Sequence, residues 1–304
     1  MLEWKKDGWK ALLVLAPALI ILAIFTFYPI INTIILSFFP EFNLMSFEYG
    51  KFGFEAYHKV LTDRFFWRAM GNTAIMVFVS VPLSIIISLL LSVALNSIKK
   101  LQGLFQTIFF LPYVTNSIAF GLVFLTIFSS QSYGLINTIL GWFGTGPVAW
   151  TGGEVTYWKG IFVLTVYSVW NSLAFKILVF LGGLQGIDKQ YYQAAQIDET
   201  PKWRVFTKIT VPLLSPMITY ITITSLIGAF KAYSSVVAVF GEAMGPGQSR
   251  MFETAVGYIY YYFQYRQTEN GSIPYASASA LLLFIFIMLL TLGQLAYNKR
   301  RNRY

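Results

Sequence analysis

The sequence predicts an all-α polytopic membrane protein, and three observations carry that prediction. Of 304 residues, 56% are hydrophobic and only 12% charged, about half the charged fraction of a soluble domain. The apolar residues gather into runs of about 20 or more, the length a helix needs to cross a bilayer. All thirteen Asp and Glu fall between those runs. Such a chain is neither a soluble enzyme nor a disordered regulator, and with no cysteine it is not a disulfide scaffold.

Six spans are expected, at 11–39, 70–96, 105–128, 160–182, 211–240 and 274–297, within one membrane domain covering 1–304. The first follows Lys5, Lys6 and Lys10, as a secretory signal would, but it is too long for a signal's apolar core and lacks a small-residue cleavage site. It reads as an uncleaved span that contains Pro17 and Pro29 and leaves the membrane irregularly near Pro40. The basic residues then set the direction. Thirteen Lys and Arg fall on the side holding both termini and the loops 97–104 and 183–210, against seven on the other side. Basic residues collect in the cytoplasm, so both ends are expected there. The formal net charge of +9 thus reports topology and anionic lipid, and no nucleic-acid partner is expected.

Catalytic chemistry is poorly provided for. The chain contains no G-x-x-x-x-G-K-[ST] loop to cradle ATP phosphates. Its lone histidine, His58, lies in an outer loop and can complete neither a metal site nor a nucleophilic triad. Acidic residues are absent from the spans, which disfavours a proton relay. Any energy source must therefore sit on a partner, and no metal or catalytic residue is expected in this chain.

The most informative loop is cytoplasmic and joins spans four and five. Here Tyr192, Ala195, Phe206 and Ile209 can share one face while Lys202, Arg204 and Lys208 stay exposed. That pattern predicts one or two short helices under the membrane, broken near Pro201 and ended by Pro212. Ala194 and Ala195 would let another surface approach closely. An amphipathic interfacial helix without a partner fits the same pattern.

This loop resembles the EAA loop of ABC-importer permeases, E-A-A-x-x-D-G followed by nine residues and I-x-L-P. It stands here as Gln193-Ala194-Ala195, Asp198-Glu199, Ile209 and Val211-Pro212, with the spacing preserved. The resemblance extends over nearly the whole chain and is greatest to carbohydrate permeases of the maltose and glycerol-phosphate type. LAPALI at 15–20, FFLPYVTNS at 109–117, GLINTILG at 134–141, FLGGLQGI at 180–187 and GPG at 245–247 support it. The resemblance implies a type I ABC-importer permease fold with six transmembrane helices. Tyr192, Gln193, Ala194, Ala195, Asp198, Glu199, Ile209 and Pro212 would form the element that couples to an ATPase. It also implies a second permease, two ATPase subunits carrying ATP and Mg, an extracytoplasmic sugar-binding protein and a bacterial or archaeal plasma membrane. Two departures stand out: the family's Glu is Gln193, and its Gly is Glu199.

Sugars bind to hydrogen-bonding groups set among aromatic faces. The spans offer Tyr113, Asn116 and Ser117, then Ser168, Trp170, Asn171, Ser172 and Phe175, then Phe230, Lys231, Tyr233 and Ser234. Within the resemblance, Tyr113, Ser117, Ser168, Asn171, Ser172, Phe175, Phe230, Lys231 and Ser234 match positions lining the substrate cavity. Helix–helix hydrogen bonding is the plainer use of such residues. Lys176 and Lys231 differ, because a lysine at a span centre costs about 3 kcal/mol on insertion scales. In the maltose-type relatives the place of Lys231 is held by a neutral polar residue, which leaves two readings open: a substrate bearing a carboxylate, such as a uronic or sialic acid, or a lysine that bonds backbone carbonyls or a carboxylate of the second permease. The alternatives are a secondary carrier for a small polar solute, usually built from an internal repeat that is not evident here, and an ABC permease for a non-sugar substrate.

Overall fold

A computed structural model of the protein describes residues 4–44, 46–98, 102–115, 117–242, 245, 249–265 and 272–301. Asn116, the basic Lys99, Lys100, Arg266 and Arg303, and most of the GPG segment lie outside the described residues. Among the described residues there are fifteen α-helices and no strand, only an isolated bridge between Asn43 and Glu48. In chain order they are α1 (Trp4–Leu22), α2 (Tyr28–Leu36), α3 (Glu55–Thr62), α4 (Arg64–Ser97), α5 (Gln102–Val114), α6 (Ser117–Ile127), α7 (Leu135–Trp142) and α8 (Tyr157–Gln185). They continue with α9 (Lys189–Ile197), α10 (Lys202–Val205), α11 (Val211–Leu213), α12 (Ser215–Phe230), α13 (Ser234–Phe240), α14 (Ala255–Tyr260) and α15 (Ser272–Arg301).

Among the described residues, four helical segments are long and apolar enough to cross a bilayer: Trp9–Leu36, Arg64–Ser97, Tyr157–Gln185 and Ser272–Asn298. A fifth is a bent pair, Lys202–Leu213 and Ser215–Phe230, meeting at 67°. The run expected as one span at 105–128 is instead two short helices, α5 and α6, with Thr115 in neither of them. Thr115 still closes the last turn of α5, its N–H and its hydroxyl both donating to the Leu111 carbonyl, at 3.2 and 2.8 Å. The run expected at 211–240 is likewise not one helix. It stops at Phe230, and Lys231–Tyr233 are not helical before α13 begins. Tight bonds from Lys231 N–H to Gly228 O (3.1 Å) and from Ala232 N–H to Ala229 O (3.0 Å) end α12.

Prolines shape two further helices. A π turn at Ala23–Phe27 joins α1 to α2 two residues before Pro29, and a second at Phe206–Thr210 ends two residues before Pro212. In each, the next N–H reaches five residues back, Tyr28 to Ala23 and Val211 to Phe206. Proline removes one donor and crowds the carbonyl four residues before it, and a widened turn absorbs the misfit. Pro212 therefore does not end the helix as expected. The chain bends at Leu214, ahead of Pro216.

The chain divides into two compact units. The first, Met1–Phe66 with Tyr258–Ile285, is dominated by aromatic packing. Phe38 stacks on Phe52 with centroids 5.5 Å apart, and Tyr57 exchanges a 2.7 Å hydrogen bond with Ser37. Asp63 caps the start of α4 by accepting the Phe65 N–H at 2.8 Å, while its other oxygen accepts the Tyr258 hydroxyl at 2.7 Å. Burial, reinforced by that bond to Asp63, raises the Tyr258 phenol far above its ordinary value, which keeps it a donor.

The second unit, Trp67–Gly257 with Phe286–Tyr304, is organised around α8. One core cluster joins Phe124, Phe128, Leu164, Tyr167, Val239 and Phe252, and another joins Leu89, Phe180, Leu184, Leu214 and Ile221. Polar pins fix the segment before α14. Asn72 donates to Met251 O (3.0 Å) and Glu253 O (2.9 Å) and accepts the Tyr157 hydroxyl at 2.8 Å. The buried Glu253 is paired with Arg250 at 2.8 Å. Asn137 secures the turn around α7 by donating to Ser129 O, Gln131 O and Val148 O and accepting from Val148 N–H and Trp150 Nε1–H, all within 3.0–3.1 Å.

Candidate functional site

Two features of the second unit present chemistry outward: a polar cavity among the helices and a short helical hairpin between α8 and α12. The cavity holds about 660 Å3. Its walls come from α4 (Met76, Val77, Ser80, Val81, Ser84), from Tyr113 and Thr115 beside the α5–α6 break, and from α8 (Tyr167, Ser168, Asn171, Ser172, Phe175, Lys176). The end of α12 supplies Thr224, Ser225 and Gly228, and the broken stretch to α13 supplies Lys231, Tyr233, Ser234 and Ser235.

The two helix breaks thus fall at the cavity. Non-helical backbone at membrane depth is tolerated where it faces such a space rather than lipid. Of the expected cavity residues, Tyr113, Ser168, Asn171, Ser172, Phe175, Lys231 and Ser234 all lie in the wall. Tyr113 and Phe175 stack with centroids 5.9 Å apart, giving an apolar face beside hydroxyl and amide groups. Phe230 lies elsewhere: it is buried, packed edge-on against Phe78 and Phe286. The side chain of Ser117 lies outside the described residues.

Several wall residues were not among the expected cavity set. Ser80, Ser84, Ser88 and Ser92 are buried at four-residue spacing on α4, so they fall along one face. The first two reach the cavity, and Ser92 donates to Ile177 O on α8 at 3.2 Å. The period was legible in the sequence. Lys176, 4% exposed, donates to Ser84 and, at 3.1 Å, to Ser172 one turn earlier on α8. Lys231 caps the C-terminal end of α12 and is exposed. Among the described residues no Asp or Glu belongs to the wall. The Ser235 hydroxyl, in the same wall and 9% exposed, has no hydrogen-bond partner among them.

The second feature is the hairpin at 188–213. Asp188 caps α9 by accepting the Gln190 N–H at 2.9 Å. The helix ends in a Schellman turn: Thr200 N–H reaches Ala195 O (2.9 Å) and Glu199 N–H reaches Gln196 O (3.1 Å). Glu199 has φ +49°, the left-handed conformation that glycine adopts at least cost. A side chain thus occupies the left-handed position of this turn. Tyr192 reaches back to the Thr210 hydroxyl at 3.2 Å and Ala195 is buried, while Phe206 and Ile209 are half-buried, as the expected inner face requires. Gln193, Ala194, Asp198, Glu199 and Pro212 are exposed. So are Ile197 at 82% and Trp203 at 71%, large apolar side chains close in sequence to the exposed Lys202, Arg204 and Lys208.

The profile of the family described as "Binding-protein-dependent transport system inner membrane component" matches residues 80–304. The lactose transport system permease protein LacF of Rhizobium radiobacter is 33% identical over 258 residues, 84% of this chain and 82% of that protein. The arabinooligosaccharides transport system permease protein AraP of Halalkalibacterium halodurans is 33% identical over 247 residues, 81% of this chain and 75% of that protein. Among solved structures, a bacterial ABC transporter involved in the import of the acidic polysaccharide alginate contains a chain that superposes with a TM-score of 0.82. The match has 21% identity and covers 98% of this chain and 97% of that one.

Proposed function

The chain belongs to the family of binding-protein-dependent transport system inner membrane components, and from that premise we propose that it forms half of the path of an ATP-driven glycan importer. The observation that carries this reading is the cavity: hydroxyls, an amide and the stacked Tyr113–Phe175 pair line one space between the helices. Such a lining suits a sugar, whose hydroxyls need partners and whose ring faces are apolar. The substrates named for the lactose and arabinooligosaccharide relatives support the same class.

In this reading α5 and α6 together make a broken sixth span, and both termini lie in the cytoplasm. A second, related permease closes the open wall of the path. Two ATPase subunits receive the hairpin at 188–213, and an extracytoplasmic binding protein delivers the glycan to the outer segments 40–69 and 241–273. ATP and Mg are held by the ATPases. Closure of the ATPase pair pushes α9, and the helices rock around the cavity from inward-open to outward-open. This chain contributes the path and the lever, the ATPases the chemistry.

Purification of the tagged chain in mild detergent tests the assembly. A second permease and an ATPase are expected to co-purify, whereas a homo-oligomer with neither would overturn the reading. Ile197→Asp places a charge on the exposed apolar tip of α9 and is expected to strip the ATPase while retaining the second permease.

A further inference from the structure

Resting on the importer reading, we propose that the cavity is selective for anionic glycans, with Lys176 and Lys231 together binding a carboxylate on the transported sugar. Four observations lead there. Both lysines lie in the wall of one cavity, and among the described residues that wall holds no carboxylate to neutralise them. Lys176 is 4% exposed, and its ammonium is met by the hydroxyls of Ser84 and Ser172, which are neutral. Neither lysine forms an ion pair among the described residues. Finally, the Ser235 hydroxyl, buried in the same wall, has no hydrogen-bond partner among the described residues.

A structural use accounts for only part of this. Lys231 stands at the C-terminal end of α12, where a cation is favoured by the helix dipole. Lys176 is in the middle of α8, far from either end, so the dipole gives it no reason to be charged. A neutral amide could bond Ser84 and Ser172 as well as an ammonium does, at lower cost in a membrane interior. What the ammonium adds is charge, and a charge in the wall of a transport path is useful toward an opposite charge passing through it. Hydrogen bonds to ionised groups are about twice as strong as neutral ones. Two lysines at one site would thus separate an acidic glycan from its neutral counterpart.

The test uses the complete importer with its binding protein in proteoliposomes, and compares uptake of a uronate oligosaccharide with uptake of a neutral oligosaccharide of equal length. Lys231→Gln is the primary variant, because the residue is exposed and its loss does not threaten folding; Lys176→Gln and Ser235→Ala follow. The expected result is that Lys231→Gln and Lys176→Gln each lower the acidic-to-neutral uptake ratio by about tenfold, the size of one charge-assisted hydrogen bond, and that Ser235→Ala lowers it less. An equal loss for both sugars, or a wild type that prefers the neutral one, overturns the anion site while leaving the importer reading intact. A wild-type importer driven by neither sugar, with no glycan-stimulated ATP hydrolysis, overturns both.

Discussion

Glu199 puts a side chain at a turn position where glycine is conformationally cheapest. The Schellman bonds that close α9 demand a left-handed residue at this position, and Glu199 supplies it at φ +49°. A non-glycine residue there carries a penalty of about 1 kcal/mol. Glu199→Gly is therefore expected to raise the apparent Tm of the purified chain by about 2 °C, and Glu199→Val, β-branched, to lower it. No upward shift for glycine would mean that the turn relaxes in solution. Gln193 is the milder departure. It is exposed on α9 and keeps the length of the family's Glu without its charge, so Gln193→Glu is expected to tighten binding of the ATPase subunit, read by titration.

At the scale of elements, close approach decides where helices meet. A Cβ on Gly121 of α6 would run into the Ala238 backbone of α13, and one on Gly160 of α8 into the Phe252 ring. Backbone cannot yield as a side-chain tip does. Gly121→Ala is expected to force α6 from α13 at a cost of about 1–3 kcal/mol, typical of overpacking. Gly141→Ala on α7, where a Cβ would meet nothing within 4 Å, is the matched control. Comparable thermal stability of the two variants would argue against the contact. The same scale explains why spans expected as single helices divide. The run from 105 to 128 and the run from 211 to 240 are apolar enough to read as continuous, but their interruptions at Thr115 and at 231–233 line the cavity, where water or ligand can satisfy the freed backbone groups.

For the whole molecule, the basic residues predict direction and the absence of cysteine makes that prediction easy to check. A single cysteine placed at Phe47, 71% exposed in the outer segment, is expected to react with an impermeant maleimide applied to intact cells. One placed at Ile197 is expected to react only after permeabilisation. The reverse pattern would invert the topology and remove the hairpin from any cytoplasmic ATPase.

The sequence by itself determined the class, because apolar run length and the distribution of charge are local properties that the membrane imposes on any chain crossing it. It also determined the hairpin, whose cap, turn and inner face depend on residues within about twenty-five positions of one another. Seven of the expected cavity residues, six of them polar groups in apolar runs and the seventh the aromatic Phe175, lie in one wall. Only the tertiary structure decided the rest. Phe230 has the same local signal as its neighbours, yet rotates into packing against Phe78 and Phe286. Lys176 was conspicuous as a charge but acquired its neighbours from α4, more than ninety residues away. A side chain's spacing fixes its face on one helix, and which helix lies opposite that face is set by how the helices pack.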